Sequence, residues 1–114
     1  APHRLSKEEI ERMIKEAEKY AEEDKRKKEE AMLINDAESL IYSVEKALSE
    51  FGEKIPQDTK KKIEDVMKSL KDAVSKRDIQ SIRNKMDELR KTAQEIGAVI
   101  YQQSQSEAKE SQKT

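Results

Sequence analysis

The sequence predicts an all-α protein, with a long N-terminal helical arm leading into an antiparallel three-helix bundle and a disordered polar tail. Three observations carry that expectation. Only two glycines and two prolines punctuate 114 residues, which favours long uninterrupted helices. Apolar residues recur at three- and four-residue spacing through most of the chain, the repeat of a helix with one buried face. Aromatic residues make up 4% of the chain, too few for the β-branched and aromatic packing of a sandwich or barrel.

The arm spans residues 6–34. Ser6 and Glu9 form an S-x-x-E capping box, in which each side chain can satisfy an amide left unpaired at the helix start. Ile10, Met13, Ile14, Ala17 and Ala21 follow on one face. Glu8/Arg12, Glu11/Lys15, Glu23/Lys27 and Asp24/Lys28 stand one turn apart in the favourable order. From Glu22 to Glu30 the stripe vanishes, since EEDKRKKEE holds no apolar residue. A helix polar on every side cannot pack on a core, so this stretch, about 14 Å of helix, is expected to be exposed.

The bundle spans residues 35–103, in segments near 35–51, 58–74 and 78–101. Ala37, Leu40, Ile41, Val44, Leu48 and Phe51 form the first stripe, and Gly52 suits a left-handed residue closing that helix. Glu53–Asp58 reads as a loop, with Pro56 near the next start. Ile63, Val66, Met67, Leu70, Ala73 and Val74 form the second stripe. A turn over Ser75–Asp78 follows, with Asp78 as the N-cap of the third helix. That helix aligns Ile79, Ile82, Met86, Leu89, Ala93 and Ile96, and Gly97 marks a place for a kink or break. Residues 104–114 are polar and low in complexity, and are expected to be disordered. Residues 1–5 read as disordered or as an added remnant with no signal-peptide core.

The arm therefore carries a second apolar face, separated from the bundle by charge and in need of a partner. Composition narrows what else the chain does. The 24 basic and 25 acidic residues are interleaved, so no single-sign footprint for nucleic acid or an anionic membrane forms. The basic run Lys25–Lys28 is flanked by acids, and helical spacing scatters it around the axis. No apolar run reaches the ~20 residues of a membrane span. The absence of cysteine excludes disulfides and thiolate metal sites. His3 is the only histidine, so neither a His-based metal site nor a nucleophile–base pair can be assembled. The single glycines at 52 and 97 make no phosphate loop. Met13, Met32, Met67 and Met86 fall largely on the stripes, where filling a core is their default role. No catalytic, cofactor-binding or metal-binding residue is expected.

The opening LSKEEIERMIKEAEKYAEEDKRKKE resembles the start of the helical lid of the 70-kDa heat-shock chaperones, where L-[ST]-x-[ED]-[ED]-I-x-x-M-[VI]-x-[DE]-A-E is typical. INDAESLIYSVEKALSEFGEKIP is similar to that family's long lid helix and closing loop. KKKIEDVMKSLKDAV and KMDELRKTAQEIG are similar to the two helices that follow. The likeness runs from Leu5 to Gln103, and its short loops look like the bacterial and organellar branch. The resemblance implies a bacterial cytoplasmic or organellar setting such as the mitochondrial matrix. It implies a lid, under stress-response duty, that closes over a β-sandwich peptide-binding subdomain of the same parent chain and slows release of unfolded client polypeptides. ATP and Mg2+ would bind in a separate N-terminal ATPase domain that lies outside these residues.

Under the same resemblance, Ile10, Met13, Ile14 and Ala17 would lie on the sandwich, and Asp24, Glu38 and Tyr42 stand where the family latches lid to sandwich loops. The commoner bacterial pattern has Asp and His where this chain has Glu38 and Tyr42. A longer carboxylate still accepts from Arg, but a phenol cannot become a cation as imidazole can. The alternative reading is a helical scaffold or dimerisation module unrelated to chaperones. Apart from that choice, the exposed stripe, with its natural partner absent, offers a face on which the first helix pairs with a copy of itself as a homodimer. A coiled-coil scaffold would carry apolar heptads through residues 22–30, and this chain does not.

Overall fold

A computed structural model describes residues 4–112 and is all-helical there. Helix α1 runs Lys7–Phe51, α2 runs Gln57–Lys76 and α3 runs Ile79–Gln112, with a single 3-10 turn, Gly52–Lys54, after α1. Residues 1–3, with His3 among them, and the last two residues of the tail lie outside the described part. The chain divides into two compact units, the boundary falling between Met32 and Leu33.

The first unit contains the N-terminal part of α1. Its start is capped as the sequence predicts, the Glu9 amide donating to Ser6 Oγ at 3.1 Å. α1 continues without interruption through the charged stretch, because Lys7–Phe51 contains neither glycine nor proline and is rich in good helix formers. Local charge pairing supports it, with one of the expected pairs and two others. Asp24–Lys28 closes at 3.2 Å, and is joined by Lys25–Glu29 and Arg26–Glu30 at 3.9 Å each. Glu8/Arg12, Glu11/Lys15 and Glu23/Lys27 are not among the close pairs. Most of these groups are well exposed, with Glu23 and Glu30 intermediate; such pairs are worth about 0–1 kcal/mol, so small rotamer preferences decide which ones form.

The second unit is the bundle. Its core joins Ala37, Ile41 and Val44 of α1, Ile63, Val66, Met67, Leu70 and Ala73 of α2, and Ile82, Met86, Leu89 and Ile96 of α3. Ile63, Leu70, Ile82 and Leu89 are completely buried, and each contributes roughly 1.5–3 kcal/mol by leaving water. Leu40, Leu48, Phe51, Val74, Ile79 and Ala93 pack at the edge of this cluster, so every predicted stripe residue faces it. Two core members escaped the periodic reading. Ile55 is 5% exposed although it lies in the connection, and Thr92 is 2% exposed although it is polar. The Thr92 hydroxyl donates to the Glu88 carbonyl at 2.8 Å, which satisfies the one group that would oppose burial. No buried side-chain polar atom among the described residues lacks a partner. Ion pairs Lys71–Glu45 at 2.6 Å and Lys62–Glu95 at 3.7 Å tie α2 to α1 and to α3 from the rim.

The connections differ from expectation in an instructive way. Gly52 does not adopt a left-handed conformation: α1 runs straight into the 3-10 turn, and the Ile55 amide closes on the Gly52 carbonyl at 3.4 Å. The left-handed residue is Arg77, with φ 55 and ψ 35, at the end of α2. The Arg77 amide donates to Val74 and the Asp78 amide to Ala73, both at 3.1 Å, which is the paired closure of a Schellman motif. Asp78 then caps α3 as predicted, accepting from the Ser81 amide at 3.3 Å and the Ser81 hydroxyl at 2.8 Å. Two residues thus reverse the chain and set α2 and α3 antiparallel.

Gly97 does not break α3. A methyl group there would meet nothing within 4 Å, so the glycine is an exposed helix position and its cost is only intrinsic propensity. Beyond it α3 extends to Gln112, where the sequence predicts disorder from residue 104. The Gln, Glu, Ala and Lys of this segment are competent helix formers. Gln103 Nε2 donates to the Lys54 carbonyl at 2.8 Å, anchoring the extension's base to the turn after α1, and Gln105 Nε2 donates to the Tyr101 hydroxyl at 2.8 Å within α3.

Two substitutions test this account. Arg77→Gly removes the side chain from a left-handed position and should stabilise the protein by about 0.5–1 kcal/mol, read as a higher urea midpoint at constant slope. Leu89→Ala should cost about 2–5 kcal/mol, read as an equal loss of helical circular dichroism stability.

Candidate functional site

The functional candidates are built on α1, and each unit contributes its own set. In the first unit the capping box fixes where the helix starts and hence which residues share a face. Ile10, Met13, Ile14 and Ala17 occupy one side at the spacing i, i+3, i+4, i+7. All four are exposed: Ile10 is 44% accessible, Met13 56% and Ile14 52%, and Ala17 is exposed as well. Large aliphatic side chains gathered on one face of a helix and left in water make a candidate interaction surface.

Three further exposed residues widen this picture. Leu5 stands just before the capping Ser6, and Ile10 occupies the position that a residue there can clasp, as in a hydrophobic staple. Tyr20 lies one heptad beyond Met13 and is 64% exposed. The staple spacing and the heptad were the signals that could have added Leu5 and Tyr20 to the face. Met32 is also exposed, but it stands beyond the charged stretch.

Asp24 closes the first unit's set. At about 100° per residue its side chain falls within roughly 40° of Ile10's direction, so the apolar stripe ends in a carboxylate on the same side. A shallow depression there is bounded by Tyr20, Ala21, Glu23, Asp24 and Lys27. The Asp24 carboxylate meets Lys28 Nζ at 3.2 Å, with both side chains largely in solvent. Such a pair exchanges readily for a better one offered by a partner.

In the second unit, Glu38 and Tyr42 are one turn apart on α1, so they are neighbours on its surface. Both are exposed, Tyr42 at 69%. Their position follows from burial of Ala37 and Ile41: the residue after each buried one turns outward. The Ser43 hydroxyl beside them donates to the Ser39 carbonyl at 3.0 Å, a bond local to the helix. A small cleft in the bundle, lined by Leu33, Asp36, Arg83, Met86, Asp87 and Arg90, sets both charges side by side, with Arg90 on Asp87 at 3.5 Å. That mixture selects for neither anions nor cations.

Among the described residues no three His, Cys, Asp or Glu side chains gather as a metal-ion site. No helix there is long and apolar enough to cross a membrane.

The family model described as "Hsp70 protein" matches residues 1–102. The chain is 48% identical over 101 residues to the chaperone protein DnaK of Thermoplasma acidophilum, which covers 89% of this chain and 16% of that protein. It is 48% identical over 103 residues to DnaK of Thermosipho melanesiensis, covering 90% and 17%, and 48% identical over 102 residues to DnaK of Picrophilus torridus, again covering 90% and 17%. The chain thus spans only about a sixth of the length of the relatives it matches. With the family model covering nearly all of the sequence and relatives at this identity, the chain belongs to the Hsp70 family.

Proposed function

We propose that the chain is the helical lid of an Hsp70-type chaperone, closing over a peptide-binding β-sandwich elsewhere in its parent and slowing the release of unfolded client polypeptides. The single observation that carries this reading is the exposed stripe of Ile10, Met13, Ile14 and Ala17, an apolar face with no cover among the residues of its own unit. Membership of the family supplies the kind of partner, since the relatives are named as chaperones and are about six times longer than this chain.

In this reading the stripe docks on the sandwich and contributes through burial, which is non-directional and scales with area. Asp24, Glu38 and Tyr42 supply directional contacts to sandwich loops, with the carboxylates accepting from basic donors and the Tyr42 hydroxyl donating or accepting. The all-polar stretch around Lys25–Glu30 needs no apolar contact, and so can pass over a peptide-filled cleft in water. The segment itself catalyses nothing; ATP and Mg2+ act in another domain of the parent, and nucleotide state would reach the lid by shifting how often the stripe is docked.

Two measurements test the proposal. Peptide release from a chaperone containing the ATPase domain and sandwich should slow when this segment is joined at its C-terminus. Charge reversal at Asp24 and Glu38 together should restore fast release, and unchanged slow release would show that the latch is elsewhere. Ile14→Lys should likewise abolish the slowing, while shifting the stability of the chain itself by no more than about 0.5 kcal/mol, because the position is exposed. If release is the same with and without the segment, the lid reading fails.

A further inference from the structure

The four methionines divide sharply by environment. Met67 and Met86 are 7% and 2% exposed in the bundle core, whereas Met13 and Met32 are 56% and 67% exposed. Met13 sits within the apolar stripe, flanked along the helix by Ile10 and Ala17, and Met32 stands apart beyond the polar stretch. A thioether is the one group on that stripe that a mild oxidant can turn from apolar to polar without breaking the chain.

We propose that Met13 is a reversible oxidation site, at which conversion to the sulfoxide disables the docking face of the arm. Hydrogen peroxide transfers one oxygen atom to the Met13 sulfur. The O–O bond breaks, an S–O bond forms, sulfur gives up two electrons, and the remaining oxygen leaves as water. The product carries a strongly polar S–O group in the middle of a surface otherwise lined by isoleucine and alanine. Burying that group against an apolar partner without a donor is unfavourable, so docking weakens about tenfold or more. Access makes the site state-dependent. A docked arm covers Met13 and an undocked arm exposes it, so oxidation captures the open form and holds it open until a sulfoxide reductase restores the thioether. The consequence for docking rests on the lid reading; the reactivity of Met13 does not, because it follows from exposure in this chain alone.

The experiment has two arms. In the first, the chain is treated with dilute hydrogen peroxide and each methionine is followed by peptide mass spectrometry. Met13 and Met32 should oxidise several-fold faster than Met67 and Met86, and equal rates at all four would overturn the assignment. In the second, peptide release is measured from a chaperone that carries this lid, before and after oxidation, with Met13→Leu and Met32→Leu alongside. Oxidation should speed release about tenfold in the unsubstituted protein and in Met32→Leu, and sulfoxide reductase should reverse it. Met13→Leu, whatever its own starting rate, should release peptide at the same rate before and after oxidation. Release that stays slow with Met13 sulfoxide confirmed, or Met13→Leu that speeds up equally, overturns the proposal. A lid that fails to slow release before any oxidant is added would instead sink the lid reading, leaving the first arm to decide the modification site.

Discussion

The fully buried layer formed by Ile63 and Leu70 of α2 with Ile82 and Leu89 of α3 is the contact on which the rest of the structure depends. These two helices are joined by only two residues, so their antiparallel pairing is local in sequence and costs little chain entropy to close. Ala37, Ile41 and Val44 of α1 then complete the core against a platform that already exists. With a third of the residues hydrophobic and over two-fifths charged, the chain has little apolar material to spare. Nearly all of the large apolar side chains of the bundle are used in this one cluster.

That economy makes the arm informative. A chain with a thin apolar supply nevertheless leaves Leu5, Ile10, Met13, Ile14 and Tyr20 in water. None of them belongs to the bundle core, and the stretch Glu22–Glu30 that follows them in sequence has no apolar face. The same polar stretch remains helical by propensity and by weak exposed ion pairs, each of small worth and none decisive alone. Burial thus separates the two parts of α1: the C-terminal part is held in the bundle core, and the N-terminal part leaves its apolar face exposed.

The proposed docking chemistry follows from that separation. An exposed stripe ending in Asp24 offers area first and direction second, and a lid that must open repeatedly needs a contact of moderate strength. Exposed carboxylates and a phenol supply register without the desolvation cost of a buried ion pair. The thioether of Met13 adds a chemical handle to the same surface, while the core methionines are shielded by the packing that makes them useful as fillers.

Periodicity alone located the three helical stripes, the start at Ser6 and the cap at Asp78, because those depend on residues a few positions apart. It also identified the orphaned face of Ile10, Met13, Ile14 and Ala17, since a stripe cut off by nine polar residues is visible without coordinates. Tertiary structure decided what local rules price too closely to rank. Ile55 is buried because the turn folds back over the bundle, and Thr92 because its hydroxyl finds the Glu88 carbonyl. The left-handed residue is Arg77 and not Gly52, because the tight α2–α3 reversal demands it there, and packing outweighs a penalty of about 1–2 kcal/mol. α3 runs through Gly97 to Gln112 because a glycine's cost of about 1 kcal/mol is smaller than what Ile96, Ile100 and the Gln103–Lys54 bond return on either side of it. Local chemistry selected the helices and their faces; only the packed chain selected among turn and end conformations separated by a kilocalorie or so.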